Sequence, residues 1–135
     1  MASILNLTQH QASQEQLDAG VENLPAETLP RLKELLTFDD PPTYKEMIDR
    51  AWAIIDILPK GHAHRNNNAP AKHNRSMAMI GGAPFFIPVL ADRLLKVGIT
   101  PVYAFTKRLV TEDGNGKKTS VFQHVDFVEH PWQIH

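Results

Sequence analysis

Cysteine is missing from this sequence altogether, so disulfides, thiolate metal centres and cysteine nucleophiles are excluded. A surplus of either charge is missing too: 14 Lys and Arg stand against 15 Asp and Glu, a formal net charge of -1. A general nucleic-acid coat would show a clear basic excess, so long nucleic acid is not an expected partner. A locally basic pocket for a small anion stays open. No run approaches the ~18 apolar residues of a membrane span. The opening Met1-Ala2-Ser3-Ile4-Leu5 has neither a basic leader nor a long apolar core. The expectation is a cytoplasmic protein without membrane contact. Neither a GxGxxG nor a P-loop spacing occurs, so no dinucleotide or ATP site is supported. Internal repeats and low-complexity tracts are likewise absent.

What is present suffices for one domain spanning residues 1–135. At 42% hydrophobic and 21% charged residues, the 135-residue chain has ordinary globular composition. Its length buries enough surface to fold without staples.

The apolar stretch 3–8 suits a first buried strand. Ser13 with Gln16 has capping-box spacing for a short helix, and Gly20 is its stop. Pro25 suits a first helical turn, with Leu29, Leu32, Leu35 and Leu36 at helical spacing, and Pro30 delays the regular helix. Thr43 and Glu46 make a second capping box. The helix that follows is expected to turn Tyr44, Met47, Ile48, Ala51, Trp52, Ile55 and Leu58 to one face. Residues 60–75 change character. They are polar, basic and aperiodic, and predict a long mobile loop at about 60–76, either a lid over an anion or a solvated loop.

Met77-Ala78-Met79-Ile80 reads as a second buried strand, followed by Gly81-Gly82-Ala83-Pro84 and a helix over 85–97 with Gly98 as terminator. Residues 101–110 are β-branched and aromatic. Asp113-Gly114-Asn115-Gly116 is a hairpin turn, and 119–128 returns antiparallel. Strand, helices, strand, helix, strand is the rhythm of right-handed crossovers in a parallel sheet. The fold class is α/β and Rossmann-like: a mostly parallel sheet, a C-terminal antiparallel hairpin strand, and helices packed on the sheet. Such sheets bind ligands beyond the carboxyl ends of their strands.

Two segments converge on that edge. Asn6, Thr8, Gln9 and His10 follow the first strand; Gly81, Gly82, Ala83 and Pro84 follow the second. A glycine pair admits close backbone approach, and the N–H groups of the next helix favour an anion. The same glycines would also serve a plain tight turn. His10 is the candidate general acid or base, since imidazole titrates near neutrality. Late in the third strand, Arg108 is the candidate phosphate ligand by its planar fork. Lys107 points to the other side and reads as a solvated strand end, or as a further ligand contact. His124 reads as a structural histidine with satisfied hydrogen bonds. A metal is not expected, because His62, His64 and His73 lack a carboxylate or cysteine at useful spacing, the nearest upstream acid being Asp56. No cofactor is expected either.

Ile4-Leu5-Asn6-Leu7-Thr8-Gln9-His10, the glutamine-rich helix start, Leu35-Leu36-Thr37-Phe38-Asp39, Met79-Ile80-Gly81-Gly82-Ala83-Pro84 and Pro101-Val102-Tyr103-Ala104-Phe105 resemble a family of small phage and prophage proteins. The resemblance spans nearly the whole chain. That family is similar to the small CRISPR-associated Csx proteins, through the opening strand-to-glutamine segment and the Rossmann-like layout. What the resemblance implies is a metal-independent ring nuclease. It would bind cyclic oligoadenylate and cleave it by in-line attack of a ribose 2′-hydroxyl, as a homodimer or dimer of dimers. Encoded by a phage, it would act in the host cytoplasm against type III CRISPR signalling. Under it, Arg108 and backbone amides would meet phosphate charge, and Thr8 and His10 would serve the ribose or the proton. The basic loop is longer than that pattern expects. Two other readings stay open: a module of the same fold that sequesters the nucleotide without cleaving it, and a phage structural or protein-interaction factor.

Overall fold

A computed structural model of the chain describes residues 4–59 and 76–131. Among the described residues five strands and four helices follow one another: β1 (Ile4–Leu7), α1 (Gln14–Asp18), β2 (Val21–Asn23), α2 (Leu29–Leu36), α3 (Tyr44–Asp56), β3 (Ser76–Ile80), α4 (Ile87–Lys96), β4 (Ile99–Glu112) and β5 (Lys118–Glu129). The sheet order is β2-β1-β3-β4-β5. The first four strands are parallel neighbours, and β5 returns antiparallel on β4. The protein is thus α/β with a mostly parallel sheet and an antiparallel hairpin. The expected basic loop, with His62, His64 and His73, lies outside the described residues.

Local chemistry sets the element ends. Ser13 and Gln16 close the expected capping box: the Gln16 amide donates to Ser13 Oγ at 3.2 Å and the Ser13 amide to Gln16 Oε1 at 3.0 Å. Gly20 then leaves the helix at φ 106°. The second box is only half made. Glu46 donates its amide to Thr43 Oγ1 at 3.1 Å, but its carboxylate pairs with Arg50 at 3.1 Å. Arg50 in turn donates to the carbonyls of Glu34, Leu35 and Thr37, at 3.3, 3.2 and 2.6 Å. One guanidinium therefore satisfies the orphan carbonyls at the end of α2.

The main core lies between one sheet face and α2, α3 and α4. Leu5, Leu7, Leu32, Ile54, Ala78, Phe86, Leu90, Leu94 and Ile99 are buried there. Each fully buried Leu contributes roughly 1.5–3 kcal/mol of transfer free energy. On the opposite face Ile4, Val21, Met79 and Val102 form a thinner layer with Ala12 and Phe127.

Three expectations are corrected by this packing. Strand β2, absent from the sequence reading, follows Gly20 directly; at three residues it is too short to display a period. The face of α3 is rotated: Ala51, Ile54, Ile55 and Leu58 are buried, whereas Tyr44 is 62% exposed. Packing between α2 and α4 selects the stripe beside the one that periodicity favoured, leaving Trp52 half exposed with the Arg93 guanidinium 6.0 Å from its ring centre. Finally, α4 starts at Ile87 instead of Phe85. The Ala83 carbonyl takes the amides of Phe86 and Ile87, at 3.0 and 3.2 Å, in a turn that precedes the helix.

Candidate functional site

Strand order reverses direction between β1 and β3, and both strands end at the same edge. The chain leaving β1 and the chain leaving β3 must diverge there, to opposite halves of the sheet, which opens a crevice. A cavity of about 710 Å³ occupies this position, a size that suits a small-molecule ligand. Its walls come from four places: Thr8, Gln9, His10, Gln11 and Gln16 after β1; Leu36, Thr37 and Phe38 at the end of α2; Met79 to Ala83 in sequence, with Phe85, at the end of β3; and Tyr103 and Ala104 on β4.

Asn6 builds the first wall without lining it. It is 3% exposed, and its amide makes four hydrogen bonds inside the protein. Nδ2 donates to the His10 carbonyl and to Asn23 Oδ1, both at 2.8 Å; Oδ1 accepts from the Thr8 amide at 2.9 Å and the Thr8 hydroxyl at 2.7 Å. A buried amide so fully satisfied has no capacity left for a ligand. Its role is to fold residues 8–10 into the turn that presents Thr8, Gln9 and His10. Gln9 reaches across the floor, donating to the Leu36 carbonyl at 3.2 Å and Thr37 Oγ1 at 3.4 Å.

The two glycines play different parts. Gly82, at φ 128°, is the residue the backbone requires to be glycine, and nothing stands within 4 Å of where its side chain would begin. Gly81 has ordinary φ, and a methyl there would touch Thr8 Cγ2 at 3.5 Å. The anion cradle expected from the next helix is weakened. The turn of Ala83 and Phe86 separates the glycines from α4, the Ala83 carbonyl uses two of the early amides, and Pro88 near the helix start has none.

Pro84 is exposed beside the cavity and does not line it. Lys107 and Arg108 stand farther off. Beyond Ala104, β4 leaves the parallel sheet and runs on as a two-stranded arm with β5, where Lys107 pairs with Gln123 and Arg108 with Phe122. Four residues of strand past Ala104 is about 13 Å of travel. Among the described lining residues there is therefore no Lys, Arg, Asp or Glu.

Sequence reasoning missed Phe38, Phe85 and Tyr103. Phe38 packs edge-on to Phe85, centroids 5.1 Å apart, with the Arg50 guanidinium 4.3 Å from its ring centre. Phe85 remains 50% exposed at the cavity mouth. Tyr103 Oη meets His130 Nδ1 at 2.7 Å, and burial pushes the phenol pKa up from its ordinary value. A tyrosine inside a β-branched strand carries no sequence mark of such a contact, because His130 lies 27 residues on. His124 is not the satisfied histidine expected. Its Nδ1 is buried without a hydrogen-bond partner among the described residues, while its ring packs on Phe127, centroids 4.6 Å apart.

A second groove of about 390 Å³ lies between α2 and α3, lined by Arg31, Lys45, Glu46, Asp49 and Arg50 among others. Those charges pair with one another or with Glu34. It offers a ligand no unmet charge. No group of three or more His, Asp or Glu that would hold a metal occurs among the described residues, and no described helix is long and apolar enough to cross a membrane.

The fold is α/β, with a crevice at its strand-order reversal, the position where open α/β sheets in general hold their ligands. The family model described as Uncharacterized protein MJ1673 family matches residues 2–128, and the chain belongs to that family. No curated protein and no solved structure matches it.

Proposed function

We propose that this protein is a Rossmann-like binder of cyclic oligoadenylate and that it opens the ring by metal-independent attack of a ribose 2′-hydroxyl. The observation that carries the reading is the cavity at the β1–β3 reversal, where hydroxyl, amide and imidazole groups face an exposed phenylalanine. Phe85 offers a stacking face for a base. Thr8 and Gln9 suit ribose and base edges, the backbone at Gly82 lets phosphate approach, and His10, which lines the same cavity, is the group to hand over a proton. In this reading the protein is phage-encoded, acts in the host cytoplasm and antagonises type III CRISPR signalling.

One cavity of this size accommodates part of a ring. The rest is met by a second copy across a two-fold axis, which presents the same groups to a symmetric ligand. The homodimer, or dimer of dimers, also gives the arm a purpose. Lys107 and Arg108, remote from their own cavity, supply phosphate contacts from the neighbouring copy.

A specific observation favours sequestration as the second reading. A lining without Lys or Arg provides little stabilisation for charge building on phosphate during attack. Incubation with cyclic tri-, tetra- and hexa-adenylate, with and without chelator, followed by chromatography, separates the two. Linear products formed equally with chelator are expected. Intact rings that comigrate with the protein would establish sequestration, and intact rings that do not bind would remove both readings.

A further inference from the structure

We propose that Tyr103 and His130 form a two-residue proton relay serving the cavity, with Tyr103 as the residue that touches the ligand. The inference rests on the cleavage reading above and assigns the base that reading leaves unnamed.

Tyr103 lies on β4 shortly before the arm and is one of the residues that line the cavity. Its hydroxyl meets His130 Nδ1 at 2.7 Å, with the two rings tilted and 5.8 Å apart. The contact is held from both sides. Tyr103 packs against the main core, and the His130 backbone amide donates to the Pro101 carbonyl at 2.9 Å. The relay uses the tautomer in which His130 Nδ1 carries no proton, so that the Tyr103 hydroxyl donates along this contact.

A phenol is protonated at neutral pH and burial pushes its pKa further up, so Tyr103 alone is a poor base. With His130 behind it the exchange balances. The 2′-oxygen uses an electron pair to form its bond to the adjacent phosphorus and gives its proton to Tyr103 Oη. Tyr103 gives its own proton to His130 Nδ1, which becomes an imidazolium. The bond from phosphorus to the 5′-oxygen breaks, and that oxygen takes a proton from His10 or water. The product is a linear oligoadenylate ending in a 2′,3′-cyclic phosphate. No metal, oxidant or further reactant enters.

The test is single-turnover cleavage of whichever ring of the tri-, tetra- and hexa-adenylate panel the full-length chain opens, with affinity measured in parallel. Tyr103→Phe should slow cleavage by about a hundredfold or more while the Kd changes by less than about threefold. His130→Gln is the decisive variant. Its amide oxygen still accepts from Tyr103 and holds the ring in place, but it takes no proton, so cleavage should fall as far as in Tyr103→Phe. A residue that merely positions Tyr103 would be rescued by Gln, so wild-type cleavage in His130→Gln would overturn the relay. Wild-type cleavage in Tyr103→Phe would overturn it as well and leave ring cleavage standing. A wild-type chain that opens none of the rings would remove the cleavage reading and the relay together.

Discussion

Strand β1 and the outer half of β4 are made of comparable residues, yet all four residues of β1 are buried while residues 105–112 of β4 are all exposed. The difference is what lies above and below each. Strand β1 has the layer of α2 to α4 on one face and the Ile4, Val21 and Met79 layer on the other. Among the described residues the arm of β4 pairs only with β5, leaving Phe105, Val110, Val121 and Val125 between 51% and 58% exposed. An isolated two-stranded ribbon is marginal in water. This one is held by continuity with the core strand and by its turn, where Asp113 Oδ1 accepts from the amides of Asn115 and Lys117 and Gly116 takes φ 81°. β-Branched spacing therefore reports that a strand forms, while coverage by a second layer decides whether its side chains carry stability.

The contrast is sharpest in core truncation. Leu7 is fully buried, so Leu7→Ala should cost about 3 kcal/mol in urea unfolding, and Leu109→Ala on the arm less than about 0.5 kcal/mol. Equal costs would show that the arm is covered in solution. Next comes Asn6→Ala, which strips partners from Thr8, Asn23 and the His10 carbonyl and should cost roughly 2 kcal/mol. It should also abolish ligand binding, although Asn6 does not line the cavity. Gly82→Ala should cost about 1–2 kcal/mol for its backbone conformation, whereas Gly81→Ala should unfold at the wild-type midpoint. Identical losses at both would mean that the turn, and not φ at one residue, is the constraint. The smallest effect on stability belongs to Arg108→Ala, within about 0.5 kcal/mol of wild type. Its effect on oligoadenylate affinity should follow the monomer–dimer equilibrium, with Arg108→Lys recovering part; unchanged affinity in the fully dimeric protein would free the arm from any role at the site.

Much of this architecture was legible in the residues. The capping box of Ser13 and Gln16, the buried run of β3 and the antiparallel return after Asp113 each follow from a local rule, and local rules survive folding; the delay expected of Pro30 does not occur, because α2 begins at Leu29 and holds the proline in its first turn, where no amide is needed. The position of the cavity followed from topology, since the ends of β1 and β3 meet whenever those strands are parallel neighbours. Illegible were the features that depend on distant partners. β2 is defined by its register with β1, the α3 face by helices on two sides, and Tyr103 by a histidine at the far end of β5. Arg108 looked close to the edge because the length of β4 gives no sign of where its partner β3 stops. His124 shows the same limit, because whether a strand histidine finds a partner depends on the neighbouring strand and on the register shift between Phe105 and Thr106.

The proposed ligand site is the crevice between β1 and β3. Titrating cyclic tri-, tetra- and hexa-adenylate into the isotopically labelled chain, and following backbone amides in a ¹H–¹⁵N spectrum, tests it most directly. Saturable shifts are expected at residues 8–11 and 81–83, and at Phe85 and Tyr103, with the groove of Lys45 and Arg50 silent. Shifts confined to that groove, or no shifts with any ring at millimolar concentration, would contradict it.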